Sequence, residues 1–455
     1  MSATGLNSLE KRAAFSLASI FGMRMLGLFM ILPVFTLYGQ ELVGYTPLLA
    51  GLAIGAYGLT QALLQIPMGL ASDRWGRKKV ITFGLILFAL GSVLAASTDN
   101  IYGVIIGRGL QGMGAVAAAV MALAADLSRE EQRPKVMAVI GMCIGLSFVL
   151  ALVIGPMVAA SYGLSGIFSL TAILAVMGIA VLLLLVPNAV QQVAPGESTA
   201  ASGHLKRILA NTNLLRLDYG VFVIHLSLTA VFVSLPGMLV ETGLAQASHW
   251  KLYLPAMLVS FVGMVPLMII GARKQAEKQM FRLAITLMLV AMALIPAFAH
   301  MYWVLVVATI LFFVGFNYLE ASMPSLLSRI APASHKGAAM GAFSSSQFMG
   351  AFVGGALGGA LVQWWGTTSL FVVVGLILVS WWVISSGLQI PAKAKNMTMP
   401  VSVDTERGAA SLANQLVAVT GVMEATVVVE EGLTYLKVNE KILDRSALDA
   451  VLQQN

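Results

Sequence analysis

The sequence predicts an all-α membrane protein with twelve transmembrane helices in two six-helix halves, followed by a small soluble α+β domain. Three observations carry this expectation. Of the 455 residues, 58% are hydrophobic and only 10% are charged, far from the balance of soluble domains. Apolar runs of about 20 residues, enough to cross a bilayer core of about 30 Å, recur from Ala13 to Leu388. After "PAKAKNMTMP" the composition turns polar and stays so to the C-terminus.

The spans fall near 13-38, 47-71, 80-98, 101-126, 136-161, 164-187, 217-240, 252-272, 280-299, 302-327, 337-362 and 367-390. The first follows "LEKR", but its apolar stretch is too long for a signal peptide and lacks a small-residue cleavage site. With the N-terminus placed inside, the inner segments collect cations such as Lys11, Arg74, Arg77, Lys78, Lys79, Arg129, Lys206, Arg207, Arg273, Lys274, Lys336, Lys393 and Lys395, whereas the outer loops hold Lys251. That bias predicts both termini on the cytoplasmic side of a bacterial inner membrane. The net charge of +7 is thereby topological, and the dispersal of the cations between spans argues against a nucleic-acid partner. Cys143 is the single cysteine, so intrachain disulfides, thiolate zinc sites and redox pairs are excluded. No cofactor or metal is implied.

An internal repeat appears at a shift of 200 residues: "LSREEQRPKVMAVIG" from Leu127 aligns with "LSRIAPASHKGAAMG" from Leu327, and Gly155 with Gly355. The chain therefore divides into an N-terminal half (1-187), a cytoplasmic linker (188-216) containing the flexible "QQVAPGESTAASG", a C-terminal half (217-390), a short linker (391-399) and a soluble domain (400-455). Two parallel repeats suit a transporter whose halves rock about a central site. Small residues four apart allow close helix approach; Gly51 and Gly55, Gly141 and Gly145, and Gly350, Gly354 and Gly358 have that spacing.

In the tail, "VSV" reads as a strand, "RGAASLANQLVAV" as an amphipathic helix, "ATVVVEEGLTYLKV" as a hairpin, and "SALDAVLQQ" as a helix with Ser446 and Asp449 as its capping box. This order resembles a ferredoxin-like module, specifically the heavy-metal-associated domain, without the final strand. The loop that carries cysteines in metal binders reads "DTERGAAS" here, so thiol metal binding is not implied. Glu430, Glu431, Glu440 and Asp444 form no convergent ligand set, which leaves partner binding, self-association or gating as roles for the tail.

"GRGLQG" at 107-112 fits a dinucleotide fingerprint, but it lies in a membrane-length run whose one charge is Arg108, and no phosphate-binding "GxxxxGK[ST]" occurs. Gly112 and Gly114 are better read as packing positions.

"GLASDRWGRKK" at 69-79, "RGLQGMGA" from Arg108, and Gly155 with Pro156 in the fifth span together resemble the signatures of the major facilitator superfamily, in its drug:proton antiporter branch. The resemblance covers roughly residues 10-390 and implies a twelve-helix fold in which spans one, four, seven and ten line a central cavity. It also implies a conformational latch around Gly69, Asp73, Arg74, Gly76, Arg77 and Lys78. A carboxylate gains about 0.3-1 kcal/mol beside a helix N-terminus. Asp73 is expected to cap the eleventh span, where Gly337 and Gly341 leave amides approachable, when the cytoplasmic side is shut. Arg77 is expected to pair with Asp126. The second-half equivalent, "GARKQAEKQ" from Gly271, keeps the cations without the Asp, so the latch is asymmetric.

Ionisable groups in spans default to functional hypotheses. Arg24 lies near the midplane of the first span, Arg108 in the fourth, and His225 and Glu320 at a shared depth in the seventh and tenth. Glu320 is the leading proton carrier, with His225, Arg108 and Arg24 as further candidates. A structural alternative pairs Glu320 permanently with Arg24 or His225, and holds Arg108 on backbone carbonyls. Tyr57, Phe222, Phe232, Phe316, Asn317 and Tyr318 are candidate cavity residues, with Gln61 and Gln65 beside them in the second span. Where some multidrug members have an acid in the first span, this chain has Arg24, which allows an anionic or neutral substrate. The expected function is proton-coupled efflux of small amphipathic compounds, with substrate, protons and lipid as partners and no enzymatic activity. The alternatives are a uniporter or proton symporter, or a membrane sensor signalling through the tail.

Overall fold

The structure, a computed structural model, describes residues 5–129, 132–187, 211–331, 336–390, 395–401, 403, 405–429, 432–439 and 442–453. The linker "QQVAPGESTAASG", Lys206, Arg207, Lys393, Glu430, Glu431 and Glu440 lie outside these residues, as do the side chains of Lys336 and Lys395. The chain forms two compact units, a helical one reaching to Leu388 and a smaller one from Gln389 onward.

Among the described residues of the helical unit, ten helices are long and apolar enough to cross a membrane, with Ile101–Asp126 taken as one. The elements are α1 (Ser8–Phe29), α2 (Phe35–Tyr38), α3 (Pro47–Trp75), α4 (Arg77–Ala96), α5 (Ile101–Met113), α6 (Ala117–Asp126), α7 (Arg133–Leu184), α8 (Thr212–Glu241), α9 (Trp250–Arg273), α10 (Glu277–Ala297), α11 (Tyr302–Ile330) and α12 (Lys336–Ser385). Helix starts follow local chemistry. Thr46 accepts from the Leu49 amide with Pro47 in the first turn, Asn100 caps α5, and Asn211 caps α8.

The structure corrects several expected boundaries. The first run is not one helix: α1 ends at Phe29 and the chain passes through turns to α2, because Pro33 has no amide to donate and disfavours helix in the residue before it. The fourth run breaks between Met113 and Ala117. Residues 212–216, expected in the linker, already belong to α8. Conversely, the fifth and sixth runs are joined in the 52 residues of α7, and the last two in the 50 residues of α12. At 1.5 Å per residue such helices would be about 75 Å long, more than twice a bilayer core. Each is broken by one glycine in a conformation that L side chains rarely adopt, Gly163 at φ 61° and Gly366 at φ 78°.

Packing repeats as the sequence does. α1 lies along α7 and α8 lies along α12, so corresponding spans make corresponding contacts. Gly350, Gly354 and Gly358 face α8, where a Cβ would collide with the backbone at Phe222 and Leu226 or press on Ala230. Gly155 meets Met30 in the same way, beside the buried Pro156. Across the halves, Gly51, Gly55 and Gly58 on α3 sit against Gly355, Phe352 and Phe348 on α12, and the Leu48 amide donates to Gln363 at 3.1 Å. Gly141 and Gly145 depart from expectation. A Cβ on either would meet nothing within 4 Å, because both border a cavity and neither sits at a helix contact. The outer surface is apolar, with Trp303, Leu184 and Val262 each more than 70% exposed, the inverse of a soluble protein and suited to lipid.

The smaller unit contains β1 (Lys395–Pro400), α13 (Glu406–Val417), β2 (Val422–Val428), β3 (Leu433–Val438) and α14 (Arg445–Gln453). The sheet order is β1-β3-β2 with both pairings antiparallel, so β1 and β2 run parallel with β3 between them. Leu412, Leu416, Leu436, Val438 and Leu448 form its core. The first strand lies before "VSV", inside the segment expected to be a linker. The cap of α14 is Asp444 in place of Ser446. Its carboxylate accepts from the Ala447 amide at 3.0 Å and the Ser446 hydroxyl at 2.6 Å, and the Ser446 bond holds it below the usual Asp range.

The α3–α12 seam gives a direct test. A Cβ at Gly55 would lie 2.7 Å from the Phe352 carbonyl oxygen, so Gly55→Leu overpacks a contact between rigid backbones, at a cost of about 1–3 kcal/mol. Thermal unfolding in detergent is expected to show a lower apparent melting temperature for this variant, and an unchanged value would mean that the seam opens freely.

Candidate functional site

The helical unit encloses a cavity of about 3190 Å³, lined at depth by Tyr57, Arg108, Phe148, His225, Phe316, Asn317, Glu320 and Gln347. Its mouth lies where the α3–α4 turn, the end of α6 and the start of α12 meet, with Asp73, Arg74, Arg77, Lys78, Asp126, Gly337 and Gly341 on the rim. The opposite end lies beside the glycine seam between α3 and α12. The cavity therefore opens on the side of the charged loops.

Glycine makes the α3–α4 turn possible, since Gly76 has φ 97°. Arg77 then points back over the turn and pairs with Asp73, donates to Ser72 at 2.9 Å, and reaches Asp126 on α6 at 3.2 Å. Ser72 in turn donates to the Gly69 carbonyl at 2.7 Å, and Gly69 packs beside Ala118 of α6. Lys78 donates to the Val186 carbonyl at 2.6 Å, while Arg74 is exposed on the rim. Asp73 makes no bond to the start of α12 among the described residues, and a Cβ on Gly337 would meet nothing within 4 Å. With the mouth open, the expected cap on the eleventh span is absent from this conformation.

The buried arginines are held, each in its own way. Arg24 is 2% exposed and lies behind the wall, not in the cavity as expected. Its Nη2 donates to Tyr57 Oη at 2.5 Å, Gln61 Oε1 at 2.6 Å and the Gly114 carbonyl at 3.1 Å, the last at the break in the fourth run. Its carbon Cζ lies 5.7 Å from the centre of the Tyr57 ring and 5.6 Å from that of Phe88, within cation–π range. Arg108 donates to the Ala53 and Ile54 carbonyls at 3.3 Å and to Gln111 at 2.8 Å. Gln111 passes the bond on to Ser92 at 2.7 Å. Among the described residues neither guanidinium has a carboxylate partner. Arg24 is not the partner of Glu320.

Glu320 meets His225 instead, at 3.7 Å between Oε2 and Nε2. Gln347 of α12 bridges them, 2.8 Å from His225 Nε2 and donating to Glu320 Oε1 at 3.3 Å. His225 Nδ1 lies 3.0 Å from the Val221 carbonyl, an acceptor only, so Nδ1 carries the proton and Nε2 of the neutral ring accepts from Gln347. Three helices, α8, α11 and α12, thus share one polar cluster at the cavity wall.

Of the aromatic candidates, Tyr57 and Phe316 border the cavity with Asn317, whose amide is anchored to Ser260 at 2.9 Å. The others do not. Phe232 is buried against Tyr253 and Phe313, Phe222 stacks on Tyr219, and Tyr318 points toward Gly271. Sequence reasoning passed over Gln347, a polar interruption in the otherwise small and apolar start of α12. It also passed over Glu10, which is 1% exposed. Asn7 and Glu10 form a reciprocal capping box at the start of α1, and Glu10 accepts three bonds from Arg129 at 2.8, 2.9 and 3.1 Å. The signal was available as Asn-x-x-Glu ahead of an apolar run.

Removing the Glu10 side chain takes its three bonds from Arg129 and one of the two cap bonds, the one donated by the Asn7 amide. With bonds to charged groups worth about 1.5–3 kcal/mol, Glu10→Ala is expected to lower the apparent melting temperature by several degrees. Retention of the parental value in detergent would show that the clasp is replaced by water at no cost.

Comparison with known proteins agrees with this geometry. The Major Facilitator Superfamily profile matches residues 17–274 and 217–398. The chain is 42% identical over 445 residues to the inner membrane transport protein YajR of Escherichia coli K12, covering 98% of both sequences. It is 26% identical over 387 residues to the quinolone resistance protein NorA of Staphylococcus aureus MSSA476, covering 82% of this chain and 96% of that one. Among solved structures, a bacterial homologue of the human lysosomal transporter Spinster, inward-facing and occupied, superposes with a TM-score of 0.65 at 14% identity over 84% of this chain and 97% of the other. The nucleoside transporter NupG gives 0.64 at 14% identity over 83% and 99%; these two likenesses concern the fold. A multi-helical membrane body, a central cavity open at one end and the matched profile together place the chain in the major facilitator superfamily of transporters.

Proposed function

We propose that this protein is a proton-coupled secondary transporter that exports small amphipathic compounds across the inner membrane by alternating access. Counting the arms of α7 and α12 on either side of Gly163 and Gly366 separately gives twelve spans, and the cation bias puts both termini and the open mouth in the cytoplasm. The tail is read as a ferredoxin-like module that lacks its last strand.

The observation that carries the reading is the His225–Gln347–Glu320 cluster on the cavity wall. A proton arriving from cavity water on His225 Nε2 turns that atom from acceptor to donor. The Gln347 amide then faces a donor and must turn away, while the imidazolium faces the Glu320 carboxylate. A proton arriving on Glu320 cancels its charge and gives it a donor of its own. Either event changes the partner of a side chain on α12, the helix that also forms the seam with α3. Proton occupancy and the arrangement of the halves are thereby linked.

Reconstituted protein with a pH dye inside the vesicles tests this. Addition of a transported compound is expected to move protons, in the direction opposite to the compound for antiport, and Glu320→Gln is expected to abolish the proton signal while compound binding persists. Proton movement that survives in Glu320→Gln would remove Glu320 as the carrier.

Closure of the mouth requires Asp73 to leave Arg77 and reach the start of α12. A helix-terminus interaction of about 0.3–1 kcal/mol shifts a two-state equilibrium by about two- to fivefold. Asp73→Asn is expected to raise the open-mouth population by that factor, read as alkylation of a cysteine placed at Ser344 on the cavity wall in a Cys143→Ser background. Equal labelling rates with and without the substitution would exclude the latch.

A further inference from the structure

We propose that the α3 wall bearing Tyr57 and Gln65 is an anion-recognising subsite, built for the carboxylate or sulfonate of an organic anion. The inference deepens the transporter reading, on which its purpose rests, but its sign follows from hydrogen-bond direction alone.

Arginine donates and cannot accept. Arg24 therefore requires the oxygen of Gln61, at 2.6 Å. That choice leaves the Gln61 amide nitrogen as a donor, and it meets Gln65 Oε1 at 2.9 Å. Gln65 must then spend its oxygen on Gln61, so its own NH2 is what remains, and Gln65 borders the cavity. The second branch has the same polarity. Arg24 Nη2 donates to the Tyr57 oxygen at 2.5 Å, which leaves the Tyr57 O–H as a donor, and Tyr57 also borders the cavity. Both relays start from one buried cation, and each ends, at a residue of the cavity lining, in a donor with no acceptor among the described residues. Tyr57, Gln61 and Gln65 recur every fourth residue on one face of α3, and the two branches converge because Tyr57 and Gln61 meet on the same Arg24 nitrogen.

Charge reinforces the direction. Arg24 is 2% exposed, and its Nε and Nη1 lack a partner among the described residues. Arg108 Cζ lies 5.2 Å from the Tyr57 ring centre, and its guanidinium is likewise without a carboxylate. Two buried cations adjoin Tyr57, Arg24 behind the wall and Arg108 on it, whereas Glu320, the acid lining the cavity at depth, lies against His225. The local balance is positive whether or not His225 is protonated. A cationic ligand would face the terminal donors and a net positive field at once, whereas an anion satisfies both.

Fluorescein and rhodamine 123 share a xanthene frame and carry opposite charge near neutral pH. Fluorescence anisotropy titrations of the purified full-length protein in detergent, at fixed ionic strength, compare them directly. Fluorescein is expected to bind at least about tenfold more tightly. Tyr57→Phe keeps the ring packed on Phe88 and Phe348 and removes the terminal O–H, and Gln65→Leu removes the terminal NH2. Each is expected to weaken fluorescein about tenfold and to leave rhodamine 123 unchanged, with size-exclusion profiles confirming that both variants fold. Equal affinities, tighter rhodamine binding, binding of neither dye, or fluorescein affinity unmoved in both variants would each overturn the subsite. Vesicle flux separates this from the transporter reading. Selective fluorescein binding without flux keeps the subsite and removes transport, and flux of rhodamine 123 in preference to fluorescein does the reverse.

Discussion

The constraint on which the rest of the molecule depends is that a guanidinium buried in a membrane bundle must find every partner inside the protein. Arg24 finds acceptors for its Nη2 on α3 and at the break in the fourth run, while its Nε and Nη1 meet none among the described residues. At that break Gly114 sits against Gly84 of α4, and its carbonyl accepts from both the Val116 amide and Arg24. A single buried cation thus ties α1, α3 and the kink between α5 and α6 into one body. Arg108 adds a second tie from α5 to α3 through the Ala53 and Ile54 carbonyls. These bonds have no alternative in water, so the N-terminal half is expected to move as a rigid block.

The C-terminal half is built otherwise. Its polar cluster is open to the cavity, with the Glu320 side chain 40% exposed and that of His225 13% exposed. Because the cluster borders the cavity, water can replace its bonds, so it is suited to rearrangement. Two halves related by a 200-residue repeat have divided the labour: buried charge fixes one, and accessible charge makes the other responsive. The loop signature follows the same division. Gly76, Arg77 and Asp126 are assembled on the N-terminal half, whereas the corresponding turn after α9 keeps Arg273 and Lys274 without a counterpart of Asp73.

Most of the fold was legible because lipid as a solvent leaves few options. Apolar length located the spans, and the loop signature located the turn around Gly76. What escaped depended on events within a span. Pro33 and the Gly114 region interrupt helices without lowering hydrophobicity, and Gly163 and Gly366 bend helices whose composition does not change across the bend. Site residues were readable by charge, which found Glu320 and His225, and less so by position. Helical spacing placed Tyr318 one residue from Asn317 but on another face, turned toward Gly271. Gln65 was legible only as a polar residue of the second span, and Gln347, uncharged and among serines, was not legible at all, although it bridges His225 and Glu320.

The seam between α3 and α12 joins these two systems mechanically. Gln347 lies two turns from Gly355 on α12, about 12 Å along the helix, and Gly355 abuts Gly51 and Gly55 on α3. On α3, Gly58 at the same seam neighbours Tyr57 and lies one turn from Gln61, which are bonded to Arg24. Gln347 and the α3 residues bonded to Arg24 are therefore connected through backbone-to-backbone glycine contacts. Glycine contacts suit this role because they join backbone to backbone. They transmit a shift of the helix as a whole and, lacking side chains, cannot absorb it by changing rotamer.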